Sequence, residues 1–274
     1  MRVDLQEAAK PLRKLRKLLK DVPANPRPEL IHNLRTQSRR VEATVHALSP
    51  TRDATSKRLL KLMKPVRKTA GRVRDMDVLI ARTLNLTSNG AEESLVRLAE
   101  EMAAQRTKHA GHLRRIVRRD GEKIRRCLKD YGRKLRRTGG NGTAETLAAP
   151  EILAAQLQHW PRLGAGNLHE FRIHAKELQY MLKLAPGMDN HALDGLMHAK
   201  DAAGDWHDWV ELRYMALTVL DPHSDATILS QIAAVVREKL RVALNAANAA
   251  RRQVKPGSEI GFAASGNGDA PFRR

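Results

Sequence analysis

The sequence predicts an all-α protein made of two four-helix bundles related by internal duplication. Along nearly every long segment of the 274-residue chain, apolar residues recur at spacings of three and four, the period of an amphipathic helix. No segment shows the convincing alternation of apolar and polar residues that is typical of a half-buried strand. The stretch TGGNGTAE, residues 138–145, divides the helical segments into two groups of four and is predicted to be a flexible linker.

Four helices are predicted before this linker. Apolar positions of the first are Leu5, Ala8, Leu12, Leu15 and Leu19. Those of the second are Leu30, Leu34, Val41, Val45 and Leu48. The third, residues 53–86, is predicted to be interrupted near Pro65 and Gly71, because both residue types disfavour a helix interior. The fourth covers residues 91–137, and its later apolar face is Leu113, Ile116, Ile124, Leu128 and Leu135.

Four more helices are predicted after the linker, near residues 147–159, 166–185, 189–220 and 225–252. The composition then changes to glycine and small residues, which is typical of disorder. The predicted organisation is a first bundle at residues 1–137, the linker at 138–145, a second bundle at 146–252 and a disordered tail at 253–274.

Two pairs of matching segments support the duplication. At a constant offset of 137 positions, His32, Arg35 and Arg39 match His169, Arg172 and Lys176. At an offset of 133, Leu60, Arg67, Ala70, Gly71, Arg74, Asp75 and Leu79 match Leu193, Lys200, Ala203, Gly204, His207, Asp208 and Leu212. Two bundles of similar plan are the simplest explanation of this ordered repeat.

The charge of the chain predicts a polyanionic partner. The chain contains 50 Lys and Arg residues against 30 Asp and Glu, a formal net charge of +20. Residues 1–137 hold 36 bases and 15 acids, net +21, whereas residues 138–274 hold 14 bases and 15 acids, net −1. Nucleic acid, an anionic membrane surface and inorganic polyphosphate are the candidate partners. Because only 3% of residues are aromatic, stacking of unpaired bases is poorly supported and phosphate is the expected target.

Basic residues form one stripe on a helix of each half, because positions i, i+3 and i+7 share a helix face. The first stripe is His32, Arg35, Arg39 and His46, and the second is His169, Arg172, Lys176 and Lys183. Fourteen residues at about 1.5 Å each make a strip of roughly 21 Å. Arginine forks, lysine ammonium groups and histidine together suit a ligand with many equivalent oxygens.

Two motifs that each occur twice indicate a family. H-x-x-R-x-x-x-[RK] occurs in HNLRTQSRR and HEFRIHAK, and G-x-x-[RH]-D occurs in GRVRDMDVL and GDWHDWVEL. With these motifs the sequence resembles the CHAD domain, the conserved histidine α-helical domain, from about Leu5 to Ala250. The resemblance implies two four-helix bundles packed about a pseudo-two-fold axis, with a basic central groove or pore that binds inorganic polyphosphate.

The resemblance also implies the binding residues, carried over by position: His32, Arg35, Arg39, Arg40, Arg67, Arg74, His169, Arg172, Lys176, Lys200 and His207. Further candidates come from the stripes and from residues 106–137, which hold 14 bases and three acids: His46, Lys183, Arg114, Arg115, Arg118 and Arg119. Asp75 and Asp208 are expected to hold Arg or His side chains in place. The family usually has further bases at positions where this chain has Glu42, Glu170, Glu177 and Gln179. Because the second half also has a net charge of −1, weaker binding by that half is expected.

The predicted function is non-enzymatic binding of polyphosphate, with no cofactor. The first alternative is a nucleic-acid-binding helical protein that contacts the phosphate backbone. The second is an enzyme of phosphate chemistry in which Asp75 and Asp77 hold magnesium, although the second copy has Asp208 and Val210 instead. A metal held by the protein is not expected, since no His-x-x-x-His pair or cysteine cluster occurs.

The expected location is the cytoplasm, in association with polyphosphate granules. The N-terminal residues lack an apolar core of signal-peptide length, and no stretch approaches 18 uninterrupted apolar residues. Membrane insertion is therefore not expected.

Overall fold

The computed structural model describes residues 2–48, 53–87, 90–138, 143–145, 149–182 and 190–254. The helices within these residues are α1 Leu5–Leu18, α2 Pro28–Leu48, α3 Ala54–Leu84, α4 Glu92–Thr138, α5 Ala149–Gln158, α6 Leu168–Leu182, α7 Asn190–Val219 and α8 Ala226–Gln253. The predicted all-α class is confirmed, while the internal duplication stays a prediction. Helix α8 includes the first residue of the predicted tail, and residues 255–274 lie outside the described residues.

Local sequence explains where several helices begin. The carboxylate of Asp4 accepts a hydrogen bond of 2.7 Å from the backbone N–H of Gln6 and so caps α1. Asp53 caps α3 in the same way, accepting 2.9 Å from the N–H of Thr55. Pro28 is the first residue of α2, where its missing N–H costs no helical hydrogen bond.

Helix α3 runs without a break through Pro65 and Gly71, so the predicted interruption is wrong. Proline costs a helix interior about 3 kcal/mol and glycine about 1 kcal/mol. Burial of apolar residues on both sides of Pro65 offsets this, because Leu59, Met63 and Val66 are each at most 3% exposed. Fully burying such side chains contributes about 1.5–3 kcal/mol each. Tertiary packing therefore overrides local propensity here.

A short antiparallel pair of strands was not expected from the sequence. Strand β1, Arg2–Asp4, pairs with β2, Thr143–Glu145, with Val3 opposite Ala144. Three residues are too few to produce a recognisable alternation of apolar and polar positions. The pair ties the N-terminus to the segment predicted as the linker, residues 138–145.

The described residues form three apolar cores. The first is formed by α1–α4 and includes Leu15, Leu34, Leu59, Leu113 and Leu128. The second is formed by α5–α8 and includes Leu157, Phe171, Leu178, Leu196 and Trp206. The third, the joining core, contains residues of both halves: Met76, Leu79, Leu98, Met102, Trp209, Leu212, Ala216, Leu220, Ile228 and Ile232. The two halves are therefore held together by an apolar interface.

Ion pairs border the joining core. Arg82 of α3 pairs with Asp205 of α7, whose other carboxylate oxygen lies 2.8 Å from the Nζ of Lys239 in α8. The Nη2 of Arg97 in α4 lies 2.7 Å from Asp225, which precedes α8. These ion pairs make the packing of the two halves more specific than apolar contact alone would.

A buried ion pair fixes α3 against α4. The Nε of Arg106 lies 2.6 Å from Asp77, whose side chain is 3% exposed. The same guanidinium donates hydrogen bonds to Asn25 at 2.8 Å and to the carbonyl oxygen of Pro26 at 2.6 Å. Arg106 therefore connects two helices and the loop between α1 and α2.

Replacing Arg106 by methionine is expected to lower the free energy of unfolding by about 3 kcal/mol, because the Asp77 carboxylate would remain buried without its partner. Denaturant unfolding followed by circular dichroism measures this change. The control is Arg119→Met, which removes an exposed ion pair with Asp120 and should cost less than about 1 kcal/mol. Equal losses for the two variants would contradict the role of Arg106.

A candidate anion-binding cleft

A concave cleft of about 390 Å³ lies between the two halves. Helix α2 packs against α6 and α3 packs against α7, so helices that bear the predicted binding residues meet across this interface. The basic residues that line the cleft are Arg39, His46, Arg67, His169, Arg172 and Lys176. Three of them come from each half, although the second half as a whole has a net charge of −1.

Arginine side chains beside the cleft have unused hydrogen-bond donors. Within the described residues, the Nε atoms of Arg35, Arg39 and Arg172 are buried and have no hydrogen-bond partner. Burial lowers the pKa of Arg39, and the charges of Arg35 and Arg67 lower it further. Burial likewise lowers the pKa of Arg172, with a further contribution from Arg35. Unpaired buried donors are costly, so these arginines are candidates for contact with an anion.

Glycine 204 leaves space for one of these guanidinium groups. A Cβ atom added at Gly204 would lie 3.1 Å from the Nη2 and 3.2 Å from the Nε of Arg172. Such distances are tighter than ordinary van der Waals contact. The glycine of the second G-x-x-[RH]-D motif therefore lets α7 approach the arginine of α6. No atom of a neighbouring element lies within 4 Å of the corresponding position at Gly71.

The ammonium group of Lys176 lies among other cations. Burial, followed by the charges of Arg39, Arg35, Arg172 and Lys200, lowers the pKa of Lys176 to about 6. Its Nζ also lies 5.8 Å from the centroid of the Tyr180 ring. Without a bound anion, this lysine is therefore mostly neutral at pH 7.

The paired histidines of the two motifs meet in the second half. The rings of His169 and His207 have centroids 4.7 Å apart. Burial lowers the pKa of His169, and the charges of His207 and Arg172 add to this effect. His169 is thus a neutral side chain near pH 7 that gains a proton more readily when an anion approaches.

Two predicted binding residues already have acidic partners. The Nε of Arg67 lies 3.2 Å from Glu42, and the Nζ of Lys200 lies 2.9 Å from Asp201. Glu42 and Glu177 also line the cleft. These carboxylates reduce the local positive charge, and an anionic ligand has to compete with them for the basic side chains.

The aspartates predicted to support the binding residues lie near them. Burial raises the pKa of Asp75, the charge of Arg35 opposes this rise, and the charge of Asp208 adds to it. Asp208 lies 3.5 Å from the Nη2 of Arg82 and is close enough to Arg172 to favour its charged form. Both aspartates thus interact electrostatically with an arginine at the cleft.

Other predicted residues lie outside the cleft. His32 and Arg74 line a separate opening of about 360 Å³, and burial followed by Arg74 lowers the pKa of His32. Three of the four arginines proposed on α4 are exposed, and none of the four lines the cleft or the opening beside His32: Arg114, Arg115, Arg118 and Arg119. The side chain of Lys183 lies outside the described residues.

Arg40 lines a second cavity, of about 450 Å³, which we call the α1 cavity. Its other polar lining residues are Glu7, Lys10, Lys14, Gln37, Thr44 and Tyr180. Ala43 and Tyr180 line both this cavity and the cleft. Sequence reasoning did not select Tyr180, Lys10 or Lys14. Tyr180 follows Lys176 by four positions, so the helical spacing of the second stripe would have identified it.

The aspartate pair considered as a magnesium site is divided between two environments. Asp77 is buried and paired with Arg106, whereas Asp75 faces Arg35. In the described part of the chain, no group of three or more His, Cys, Asp and Glu residues is placed to hold a metal ion. Among the described helices, none combines the length and apolar character needed to span a bilayer.

Comparison with known proteins identifies relatives of the chain. The model of the CHAD domain family matches residues 6–217. No curated protein matches the sequence significantly. The fold is similar to the crystal structure of the CHAD domain from the plant Ricinus communis, with a TM-score of 0.61 and 19% identity over 92% of this chain and 90% of that one. It is also similar to PptA from Streptomyces chartreusis, with a TM-score of 0.57 and 16% identity over 92% of this chain and 99% of that one.

Proposed function

The chain belongs to the CHAD domain family, and from that premise we propose that it binds inorganic polyphosphate in the cleft without acting as an enzyme. The binding residues in this proposal are the cleft cations of both halves together with Arg35 and Lys200. His207 acts through its contact with His169. His32 and Arg74 extend the basic surface at the neighbouring opening.

The observation that supports this proposal most directly is the set of buried Nε–H groups of Arg35, Arg39 and Arg172 without partners. The three guanidinium groups come from two different helices, and the charge of Arg35 lowers the pKa of both Arg39 and Arg172. A chain of phosphate groups supplies closely spaced oxygens that accept from several of these donors at once. The electrostatic cost of assembling the cations is then offset on binding.

The division of Asp75 and Asp77 supports binding without catalysis. A two-aspartate magnesium site needs both carboxylates directed at one ion, but Arg106 engages Asp77 on the other side of α3. The remaining carboxylate, Asp75, lies beside Arg35 and fits the role of orienting a binding residue.

Exposed arginines on α4 favour a second candidate function, which is contact with the phosphate backbone of nucleic acid. Arg115, Arg118 and Arg119 lie on an open helix face that a long duplex could approach. The cleft, in contrast, suits a thin and flexible polymer. We therefore place polyphosphate first and nucleic acid second.

Competition separates these two functions. Long-chain polyphosphate is expected to displace a fluorescent polyphosphate tracer at concentrations at which DNA or RNA of equal phosphate content does not. Raising salt from 50 to 200 mM should weaken polyphosphate binding about 100- to 1000-fold, because about six cations replace bound counterions. Equal or tighter binding of RNA would favour the nucleic-acid function. Release of orthophosphate in the presence of magnesium would contradict binding without catalysis.

Association with cytoplasmic polyphosphate granules is part of the proposal. A fluorescent fusion of the full chain should colocalise with granules, and the same fusion carrying Arg35→Ala and Arg39→Ala should not. Granule localisation that survives this double substitution would show that another surface mediates the association.

A further inference from the structure

The α1 cavity adjoins the cleft and is basic. The two cavities share Ala43 and Tyr180 as lining residues, so the side chain of Tyr180 lies at their boundary. On the far side of this boundary, α1 contributes Lys10 and Lys14, and α2 contributes Arg40. The cavity therefore holds three cations against a single carboxylate, that of Glu7, which pairs with Lys10.

We propose that a polyphosphate chain bound in the cleft continues past Tyr180 into the α1 cavity, where Lys10 and Lys14 hold its next phosphates. This inference rests on the proposed function, since it extends the same ligand into a second site. It implies a preference for long chains, because a short chain fills the cleft alone. It also gives Arg40 a binding role on a face of α2 that is turned about 100° from that of Arg39.

Buried polar groups support this path. The side-chain oxygen of Gln37 is buried in the α1 cavity region and has no hydrogen-bond partner among the described residues. A 180° rotation of the amide would present its N–H groups to a phosphate oxygen instead. Burial raises the pKa of Tyr180 despite the opposing charges of Arg39 and Arg40. The phenol therefore keeps its O–H as a donor at the boundary.

The test compares two double substitutions on the same helix. Lys10→Ala with Lys14→Ala removes two cations from the α1 cavity. Arg13→Ala with Arg16→Ala removes two cations from the other side of α1, next to α4, and is the matched control. Dissociation constants for tripolyphosphate and for long-chain polyphosphate are measured by calorimetry on the full chain.

We expect the lysine variant to bind long chains about fivefold more weakly than the arginine variant does, with tripolyphosphate affinity the same in both. Ala43→Phe, which narrows the passage, should reduce long-chain affinity to a similar extent. Equal effects of the two double substitutions on long chains, or an equal loss for tripolyphosphate in the lysine variant, would overturn this inference alone. Failure of the unmodified protein to bind either ligand would overturn the proposed function and this inference with it.

Discussion

Polyphosphate affinity is expected to fall about 100-fold when Arg35 and Arg39 are both replaced by alanine. Each guanidinium lies beside the cleft with a buried Nε that lacks a partner within the described residues. A hydrogen bond to a charged group contributes about 1.5–3 kcal/mol, so two such contacts account for a loss of at least this size. Isothermal titration with long-chain polyphosphate measures the change.

The fold should survive this double substitution. Neither arginine belongs to an apolar core. Each substitution also removes a buried donor that has no partner among the described residues. We expect the melting temperature without ligand to be unchanged or higher. Arg115→Ala with Arg118→Ala removes the same charge from the exposed face of α4 and should weaken binding only a few-fold. Comparable losses in the two variants would show that net charge, and not the cleft, determines affinity.

Replacing Lys176 by methionine is expected to stabilise the unliganded protein and to remove a proton uptake that accompanies binding. The pKa of Lys176 is about 6 in the folded state, against 10.5 for the free side chain. Between these values the unfolded chain binds a proton that the folded protein does not. The free energy of unfolding therefore rises with pH across this window, by up to about 1.4 kcal/mol per pH unit.

Methionine at position 176 cannot be protonated, so the stability of that variant should lack this slope. The advantage of Lys176→Met over the unmodified protein is expected to be greatest near pH 6 and to shrink toward pH 10. Thermal melts at several pH values measure it. Lys64→Met, on an exposed position of α3, is the control and should leave the pH profile unchanged. Parallel profiles for all three proteins would contradict the lowered pKa.

Ligand binding should raise the pKa of Lys176, because an adjacent phosphate favours the ammonium form. Affinity of the unmodified protein is then expected to increase as the pH falls from 8 toward 6. Calorimetry in two buffers of different ionisation enthalpy counts the protons taken up. His169 also has a lowered pKa and gains charge in the same direction. The part of the uptake that disappears in Lys176→Met belongs to the lysine.

Helical periodicity was sufficient to predict the fold class, and its failures have physical causes. Spacings of three and four describe which residues share a helix face, so the helices and their apolar sides could be predicted. Pro65 was misleading because the cost of a proline is local, whereas the burial of Leu59 and Met63 depends on neighbouring helices. The β1–β2 pair depends on contact between distant segments, which a three-residue pattern does not encode.

The candidate site could be predicted in part for the same reason. The spacing of Arg35 and Arg39, repeated at Arg172, indicates a shared face on each helix, and the structure brings the two faces together. This spacing does not indicate which residues of other helices lie opposite each face. Arg40 follows Arg39 directly, and a turn of about 100° per residue directs it into a different cavity. The position of Lys10 at the α1 cavity depends on how α1 packs against α2, which no motif records.

The joining core has a consequence for the speed of ligand capture. Because Met76, Trp209 and Ile232 fill the contact between the halves, packed side chains connect the two walls of the cleft. An incoming polymer then meets an entrance that is already open. Its association rate would be set by diffusion and by the ionic strength of the medium, with no waiting time for the protein to open.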